Sequence, residues 1–349
     1  MHLCIHDYDW WAQKLLDRGC VIHASKDTMS HCIFYVTTHR TFDMNLIEGR
    51  VNVPEEDLLK NIEQNSKLGL PQIRPYPVQD TEIMLLAGGP SLNEFEEEII
   101  QNRKDGMKLV TVNNTYHWAM ERGLKPSLQF LIDARGFNKR FTEQSELTDE
   151  TKFIIASSAD PESIELLPKD RTFLFHTTLS DEILESIVEN YGELYKHAFP
   201  VPGGCTVTLR AIAALRLLGF FKIHVYGFDS CLSDDGYHHA YSQPENDSDR
   251  DNAVPIIVAG GSKYERKFMC APWMAMQAHD FRKMATDLLG DVHLDIKGDG
   301  MIAYMVKVAA ELNENIDIEI EDELPPTRLY VDKEFINKCA KDRAETKEN

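Results

Sequence analysis

The 349-residue sequence has no apolar run approaching the roughly 20 residues that span a bilayer, so no transmembrane helix is expected. At the N-terminus no basic segment precedes an apolar core, and no secretory signal peptide is expected. The seven cysteines are scattered and odd in number, which does not fit a disulfide framework. These features together predict a cytoplasmic protein.

Basic residues are also scarce. The chain has 37 Lys and Arg against 57 Asp and Glu, for a formal net charge of −20, and no Lys/Arg cluster is visible. Binding to nucleic acid depends on clustered positive charge that contacts phosphates, so nucleic acid is an unexpected partner. The 43% hydrophobic and 27% charged content is that of an ordinary globular protein.

One stretch organises the chain: residues 83–87 are apolar, and Gly88 and Gly89 follow them. A short apolar run bounded by glycines predicts a buried strand. Ser91 and Glu94 have the spacing of a capping box, which predicts a helix start. Glycines and helix N–H groups suit a phosphate. The alternative is an ordinary strand-to-helix turn, because neither a third glycine nor a Gly-Lys-Ser/Thr sequence follows.

Beyond residue 80, strand and helix patterns alternate, which predicts an open, mostly parallel Rossmann-like sheet with helices on both faces. Further strands are predicted at 108–113, 127–133, 151–157, 171–176, 222–229 and 292–296. Helices are predicted at 115–121, 181–191, 206–218, 281–289 and 300–312.

The same patterns divide the chain into three parts. Residues 1–80 are predicted to form a small N-terminal α+β unit, which ends at a proline-rich linker. Residues 81–312 are predicted to be the Rossmann-like nucleotide-binding catalytic domain. Residues 313–349 form an acidic C-terminal tail, for which a terminal helix is predicted.

A second double glycine opens a second helix. Gly203 and Gly204 precede Cys205, and Thr206 or Thr208 can serve as the N-cap residue of the helix. This second opening strengthens the case for phosphate binding. Cys205 lies at a helix N-terminus, where a thiol pKa can be lowered, but no partner for a nucleophilic role is evident, so packing of a small residue is the preferred interpretation.

Polar residues are predicted at the carboxyl ends of the strands, where open parallel sheets bind ligands. Asn113 and Asn114 offer donors and acceptors to a base or a sugar. Asp133 and Asp229 are candidates for binding ribose hydroxyls or a divalent metal such as Mg²⁺. The alternative for each aspartate is capping of a neighbouring helix.

Residues 229–263 are polar and lack periodicity, which predicts a loop that closes over a ligand. His238 and His239 lie in this loop, and a histidine suits proton transfer near neutral pH. With Asp229 they form the candidate catalytic set, and His239 is the preferred base. Two exposed loop histidines are the alternative.

Four stretches occur in an order that resembles a known family: 86–92, 123–133, 203–207 and 218–229. They are similar to the family that joins motility-associated-factor (Maf) glycosyltransferases to archaeal 6-hydroxymethylpterin diphosphokinases of the MptE type. More distantly, they resemble bacterial sialyltransferases that use a CMP-sugar. The resemblance covers roughly residues 80–312.

The resemblance implies roles for both glycine turns. It implies that the nucleotide phosphate and sugar are lined by Gly88, Gly89, Pro90 and Ser91. Asn113 or Asn114 would contact the nucleotide or the donor sugar, and Gly204, Cys205 and Thr206 would cover the nucleotide from the second helix. The base histidine of the sialyltransferases has no match in 270–279, so His239 is chosen on chemical grounds.

The predicted function is transfer of a sugar from a CMP- or UDP-linked nucleotide-sugar to a hydroxyl acceptor. The donor is a substrate, and Mg²⁺ is a candidate cofactor at Asp133 or Asp229. The first alternative is an MptE-like 6-hydroxymethylpterin diphosphokinase that uses ATP and Mg²⁺. The second alternative is a nucleotide-binding module without catalytic activity.

Overall fold

The computed structural model describes residues 20–27, 32–38, 53–142, 149–177, 200–260, 264–314 and 328–332. The predicted helix at 181–191 and the predicted terminal helix lie outside these residues. The chain divides into two compact units. One contains Gly49–Ala253 and Cys270–Lys307, and the other contains Val254–Met269 with parts of both chain ends.

The strands of the described residues are numbered in chain order. They are β1 (Cys20–Asp27), β2 (Cys32–Thr38), β3 (Ile83–Leu86), β4 (Lys108–Val112), β5 (Leu128–Leu131), β6 (Lys152–Ala156), β7 (Thr172–Thr177), β8 (Pro200–Val201), β9 (Lys222–Tyr226), β10 (Val254–Gly260), β11 (Tyr264–Cys270), β12 (His293–Ile296) and β13 (Arg328–Val331).

The α-helices of the same residues are numbered in the same way. They are α1 (Glu55–Ser66), α2 (Glu96–Lys104), α3 (Thr115–Glu121), α4 (Pro161–Glu165), α5 (Val207–Leu217), α6 (Pro272–Asp287) and α7 (Met301–Glu314). Short 3-10 helices lie at Pro90–Phe95, Gly136–Phe141, Lys169–Arg171 and Pro244–Asp249. None of the described helices is both long and apolar enough to cross a bilayer.

Within the described residues, eight parallel strands form one sheet in the order β12-β9-β3-β4-β5-β6-β7-β8. All four β3 side chains are buried, so both faces of the sheet are covered. The predicted Rossmann-like, mostly parallel fold is confirmed. Strands β4, β5, β6 and β9 end one to three residues earlier than predicted, whereas β7 ends one residue later and β12 ends at the predicted residue.

The order of the strands reverses beside β3. From β3 the chain builds β4 to β8 on one side, and it then returns to place β9 and β12 on the other. Leu86 is therefore paired with Thr111 of β4 and with Tyr226 of β9. Ligands of open α/β sheets bind in the crevice at such a reversal, beyond the carboxyl ends of the strands. This crevice lies where Gly88, Gly89 and Asp229 follow β3 and β9.

Smaller sheets lie outside the parallel one. Strands β1 and β2 pair antiparallel. Strands β11, β10 and β13 form another sheet, in which β10 and β13 are antiparallel. One prediction is corrected here: β10 forms inside the segment 229–263 that was predicted to be a loop. Strand β13 lies within the residues predicted to form the tail. Both strands are stabilised by distant pairing, which local periodicity does not reveal.

Helix α1 belongs to the unit that contains the parallel sheet. Buried Asn65 donates to the carbonyl oxygens of Ser157 and Ala159, at 2.9 and 2.8 Å. These bonds hold the helix at the carboxyl end of β6. The structure thus groups residues 49–80 with the sheet, whereas the sequence-based boundary lies at residue 80.

Two helix starts differ from the prediction. No capping box forms at Ser91 and Glu94; a 3-10 helix begins at Pro90 instead, and α2 begins only at Glu96. Helix α6 begins at Pro272 rather than at residue 281, with Ala271 extended before it. Proline at the first helical position is a signal for this earlier start, because its missing N–H costs nothing there.

Candidate functional site

At the first glycine turn, a carboxylate of the protein itself accepts a backbone N–H. Asp229 is 6% exposed, and its Oδ2 accepts the Ser91 N–H at 3.0 Å. The Gly89 N–H donates to the Gly227 carbonyl oxygen at 2.7 Å. Burial raises the pKa of Asp229, and the Ser91 N–H offsets part of this rise. The turn's N–H groups at residues 89 and 91 are therefore already bonded within the protein.

The glycines of this turn permit close packing around Asp229. A Cβ on Gly89 would collide with Asp229 Oδ2 and would lie 2.6 Å from the Gly227 carbonyl oxygen. A Cβ on Gly300 would lie 2.5 Å from the Asp229 Cα. Glycine is therefore required at these positions because other parts of the protein approach them too closely to leave room for a Cβ. Nothing in these contacts requires a ligand phosphate at this turn.

The segment after β9 folds back over the turn. The Ala240 N–H donates to the Gly88 carbonyl oxygen at 3.0 Å, and Asn93 Nδ2 donates to the Ala240 carbonyl oxygen at 2.8 Å. These bonds bring His239 and Tyr241 against Gly88, where a Cβ would lie 2.9 Å from His239 Cδ2 and would collide with the Tyr241 hydroxyl. His239 therefore lies at the crevice between β3 and β9.

The two loop histidines have different surroundings. His238 is 7% exposed, so the alternative of two exposed histidines is wrong for this residue. Its Nδ1 lies 2.7 Å from His239 Nδ1, and its Nε2 lies 3.4 Å from Asp247 Oδ1. The His239 ring is partly exposed and stacks on Trp273, with ring centroids 6.0 Å apart. Sequence reasoning missed Trp273, because α6 begins earlier than predicted.

At the second glycine turn, another carboxylate accepts a backbone N–H. Asp280 Oδ2 of α6 accepts the Cys205 N–H at 2.9 Å, and a Cβ on Gly204 would collide with the same carboxylate. Packing around the thiol, although part of the residue is exposed, and the Asp280 charge raise the pKa of Cys205 to about 12. The lowered pKa that a helix N-terminus can produce is not found here, because burial of the thiol and then the Asp280 charge outweigh it.

A buried glutamine joins the second turn to the segment after β9. Gln277 Nε2 donates to Thr206 Oγ1 at 2.6 Å, and Ser230 Oγ donates to Gln277 Oε1 at 2.6 Å. Ser230 has a positive φ of 54° and follows Asp229 directly. Residues from both predicted glycine turns therefore meet at the same end of the sheet. Gln277 and Ser230 carried no sequence signal, since their roles arise from long-range contacts.

The asparagines after β4 lie beside the same crevice. Thr115 Oγ1 donates to the Leu86 carbonyl oxygen at 3.0 Å, which ties the start of α3 to the end of β3. Asn113 has a positive φ of 44°, and among the described residues no donor reaches its buried Oδ1. A buried acceptor without a donor is uncommon in native proteins and suits a ligand's N–H or O–H. Asn114 precedes α3 as its N-cap residue.

Asp133 lies apart from Asp229. Three strand spacings separate β5 from β9, which is about 14 Å. Arg135 binds both Asp133 oxygens, at 2.9 Å through Nε and 2.6 Å through Nη2. The two aspartates cannot share one metal ion. Within the described ranges, no group of three or more His, Cys, Asp or Glu side chains is arranged to hold a metal.

A family model described as "6-hydroxymethylpterin diphosphokinase MptE-like" matches residues 56–235, more than half of the chain. The chain belongs to this family. The matched range includes Gly88, Gly89, Gly204 and Asp229, and it ends before His238. The suspected MptE-like relationship is confirmed. A comparison with curated proteins gave no match.

Among solved structures, the MptE-like chain resembles the Maf glycosyltransferase from Magnetospirillum magneticum AMB-1, with a TM-score of 0.50 and 15% identity. The match covers 70% of this chain and 37% of that chain, so the two proteins share a fold over a part of the Maf protein. A mammalian sialyltransferase in complex with Gal-beta-1-3GalNAc-ortho-nitrophenol matches at a TM-score of 0.33 and 10% identity, over 74% of this chain and 90% of that one. That score is too low to support a conclusion.

Proposed function

We propose that this MptE-like protein is a glycosyltransferase that moves a sugar from a CMP- or UDP-linked donor to an acceptor hydroxyl. The observation that carries the proposal is the location of His239 beside Gly88, at the reversal of strand order between β3 and β9. A histidine at this point can remove the proton of the acceptor hydroxyl as that oxygen attacks the sugar. The shared fold with the Maf glycosyltransferase supports the choice of reaction.

We further propose that the second glycine turn holds the donor phosphate. At both turns a carboxylate accepts a hydrogen bond from a backbone N–H. Asp229 is buried, whereas Asp280 is partly exposed. A phosphate can therefore replace Asp280 at the Cys205 N–H with little rearrangement elsewhere. The start of α5 then stabilises the negative charge that develops on the departing nucleotide. The Oδ1 of Asn113, which no donor from the described part of the chain reaches, suits a contact with the base or the sugar.

A metal has no evident place in this proposal. Asp133 is paired with Arg135, and Asp229 accepts the Ser91 N–H from a buried position, so neither carboxylate fits Mg²⁺ well. We therefore propose a transfer that the chain's own side chains and backbone N–H groups support.

The family description favours a second candidate, an ATP-dependent diphosphokinase acting on a hydroxymethylpterin. The two candidates release different products. The first releases CMP or UDP from a nucleotide-sugar. The second releases AMP from ATP, and only when the hydroxymethyl acceptor and Mg²⁺ are present.

The experiment incubates the full chain with a panel of CMP- and UDP-sugars and hydroxylated acceptors, and in parallel with ATP, Mg²⁺ and 6-hydroxymethylpterin. We expect release of CMP or UDP, and a rate about 10²- to 10⁴-fold lower in His239→Ala, which is the usual contribution of a general base. His293→Ala, at an exposed position that begins β12, is the matched control and should keep the full rate. AMP formation with the pterin and no turnover of any nucleotide-sugar would overturn the choice of reaction.

A further inference from the structure

Three side chains of α6 contact the segment that follows β9 and the turn that precedes α5. Trp273, Gln277 and Asp280 are spaced four and three residues apart, so they lie on one face of the helix. Trp273 stacks on the His239 ring, with centroids 6.0 Å apart. Asp280 accepts the Cys205 N–H at 2.9 Å. Gln277 lies between these two contacts along the helix.

Gln277 is hydrogen-bonded to both segments at once. Its Nε2 donates to Thr206 Oγ1, and its Oε1 accepts a hydrogen bond from Ser230 Oγ, each at 2.6 Å. Gln277 is 6% exposed and Ser230 is 5% exposed, so water competes little for the bond between them. Buried polar groups are costly to separate, because each is left without a partner. One buried side chain therefore joins the start of α5 to the segment after β9.

The side chain of Thr206 is bonded to α6 and not to its own helix. Thr206 is the N-cap residue of α5 and has an extended backbone, yet its side chain makes no capping hydrogen bond. A threonine at this position usually accepts an N–H from the residue two or three positions further on. The bond from Gln277 takes the place of that local cap, so the start of α5 depends on a distant helix.

Ser230 has a backbone conformation that needs support from its surroundings. Its φ of 54° is uncommon for a residue other than glycine. In addition to the Gln277 bond, its carbonyl oxygen accepts a hydrogen bond from Cys270 Sγ at 3.3 Å. Strained residues persist where several surrounding contacts determine them. Because Ser230 sets the direction in which the chain leaves β9, Gln277 acts on the path that leads to His239.

We propose that Gln277 is a positioning residue, which holds the start of α5 and the segment after β9 at a fixed spacing across the crevice. The value of this spacing for catalysis rests on the proposed function, in which the start of α5 binds the donor phosphate and His239 is the base. A misplacement of about 1 Å between reacting groups can cost about 10²-fold in rate. The spacing itself is a property of the protein without substrate, and it can be measured without turnover.

The test is hydrogen–deuterium exchange of the full chain without ligand, followed by mass spectrometry of its peptides. The readouts are two amides: Arg210 donates to the Thr206 carbonyl oxygen, and Ala240 donates to the Gly88 carbonyl oxygen. Gln277→Met keeps a side chain of similar length and removes both hydrogen bonds. We expect both amides to exchange about tenfold faster in this variant, because the two segments lose their common anchor.

Three further variants separate hydrogen bonding from packing. Gln277→Glu retains two polar atoms at the end of the side chain, to which both hydroxyl groups can donate, and it should restore most of the slow exchange. Lys283→Ala, at an exposed position of the same helix, is the matched control and should change neither amide. Thr206→Val removes only one of the two bonds and should accelerate both amides to a smaller extent. It decides the matter if Gln277→Met does not fold.

Unchanged exchange in a folded Gln277→Met, or a change at only one of the two amides, would overturn the proposal. Equal exchange in Gln277→Met and Gln277→Glu would overturn it as well, because the hydrogen bonds would then have no effect. If nucleotide-sugar turnover is found, Gln277→Met should lower kcat about tenfold and leave the KM for the donor within about twofold, and Gln277→Glu should recover most of the rate. The expected exchange without any nucleotide-sugar turnover would reject the proposed function and leave this inference standing.

Discussion

The two glycine turns share one kind of hydrogen bond, from a backbone N–H to a carboxylate, but the two carboxylates differ in how deeply they are buried. At each turn a carboxylate from a distant segment accepts a backbone N–H: Asp229 accepts that of Ser91 at 3.0 Å, and Asp280 accepts that of Cys205 at 2.9 Å. Asp229 is 6% exposed and lies against Gly89 and Gly300, and burial raises its pKa. Asp280 keeps part of its surface in solvent.

On the proposed function, this difference separates a structural contact from one that the donor phosphate replaces. An enclosed carboxylate cannot leave without exposing a buried N–H and a cavity, so the first turn joins β3 to β9 permanently. A partly exposed carboxylate can rotate into water at little cost. Glycine pairs that precede helices therefore need not all bind ligands, even within one sheet.

The largest effect is expected for the thiol at the second turn. At pH 8, iodoacetamide should alkylate Cys205 about a hundredfold more slowly than a free cysteine, because a thiol with a pKa of about 12 is almost wholly protonated. Asp280→Asn should accelerate the reaction by removing the negative charge, while the surrounding packing remains. Mass spectrometry of the Cys205 peptide measures the rate over a range of pH, and buried Cys270 is the internal control. Reaction at the rate of a free cysteine would mean that Asp280 and the packing do not act on the thiol.

A second comparison concerns stability. Asp229→Ala should lower the free energy of unfolding by about 2 to 3 kcal/mol, because it leaves the buried Ser91 N–H without an acceptor. Asp280→Ala should lower it by about 1 kcal/mol or less, because water can reach the Cys205 N–H. Urea unfolding of both variants measures the difference. Equal losses would contradict the distinction between an enclosed and a replaceable carboxylate.

The smallest effect is a pH dependence at the first turn. The pKa of Asp229 is raised above 3.8 in the folded chain, so the native state binds more protons than the unfolded state above that pH. Its contribution to stability is therefore present at low pH and is lost as pH rises through the folded-state pKa. Relative to wild type, Asp229→Asn should gain stability as pH rises, because the amide has no charge to bury. Urea unfolding of both proteins at several pH values measures this gain, and a difference that is constant with pH would refute it.

Much of the fold could be predicted because its signals are local. Helix α3 is predicted with its observed bounds, and β3 is predicted from the apolar run 83–87 that precedes two glycines. Parallel order followed from alternation of strands and helices. The capping box at Ser91 failed because the Ser91 N–H finds its acceptor in Asp229, 138 residues along the chain. A local motif cannot anticipate a competing partner that folding brings in.

The sequence by itself determined the fold class, the identity of most strands, and the gathering of polar residues at their carboxyl ends. Periodicity and strand-helix alternation suffice for these, since they depend on neighbours along the chain. Only the tertiary structure decided which carboxylate faces which N–H, how deeply His238 is buried, and that α6 brings Trp273, Gln277 and Asp280 to the crevice. These contacts join residues far apart in the chain, for example Cys205 and Asp280, which are 75 positions apart, and their energies depend on burial that no local pattern encodes.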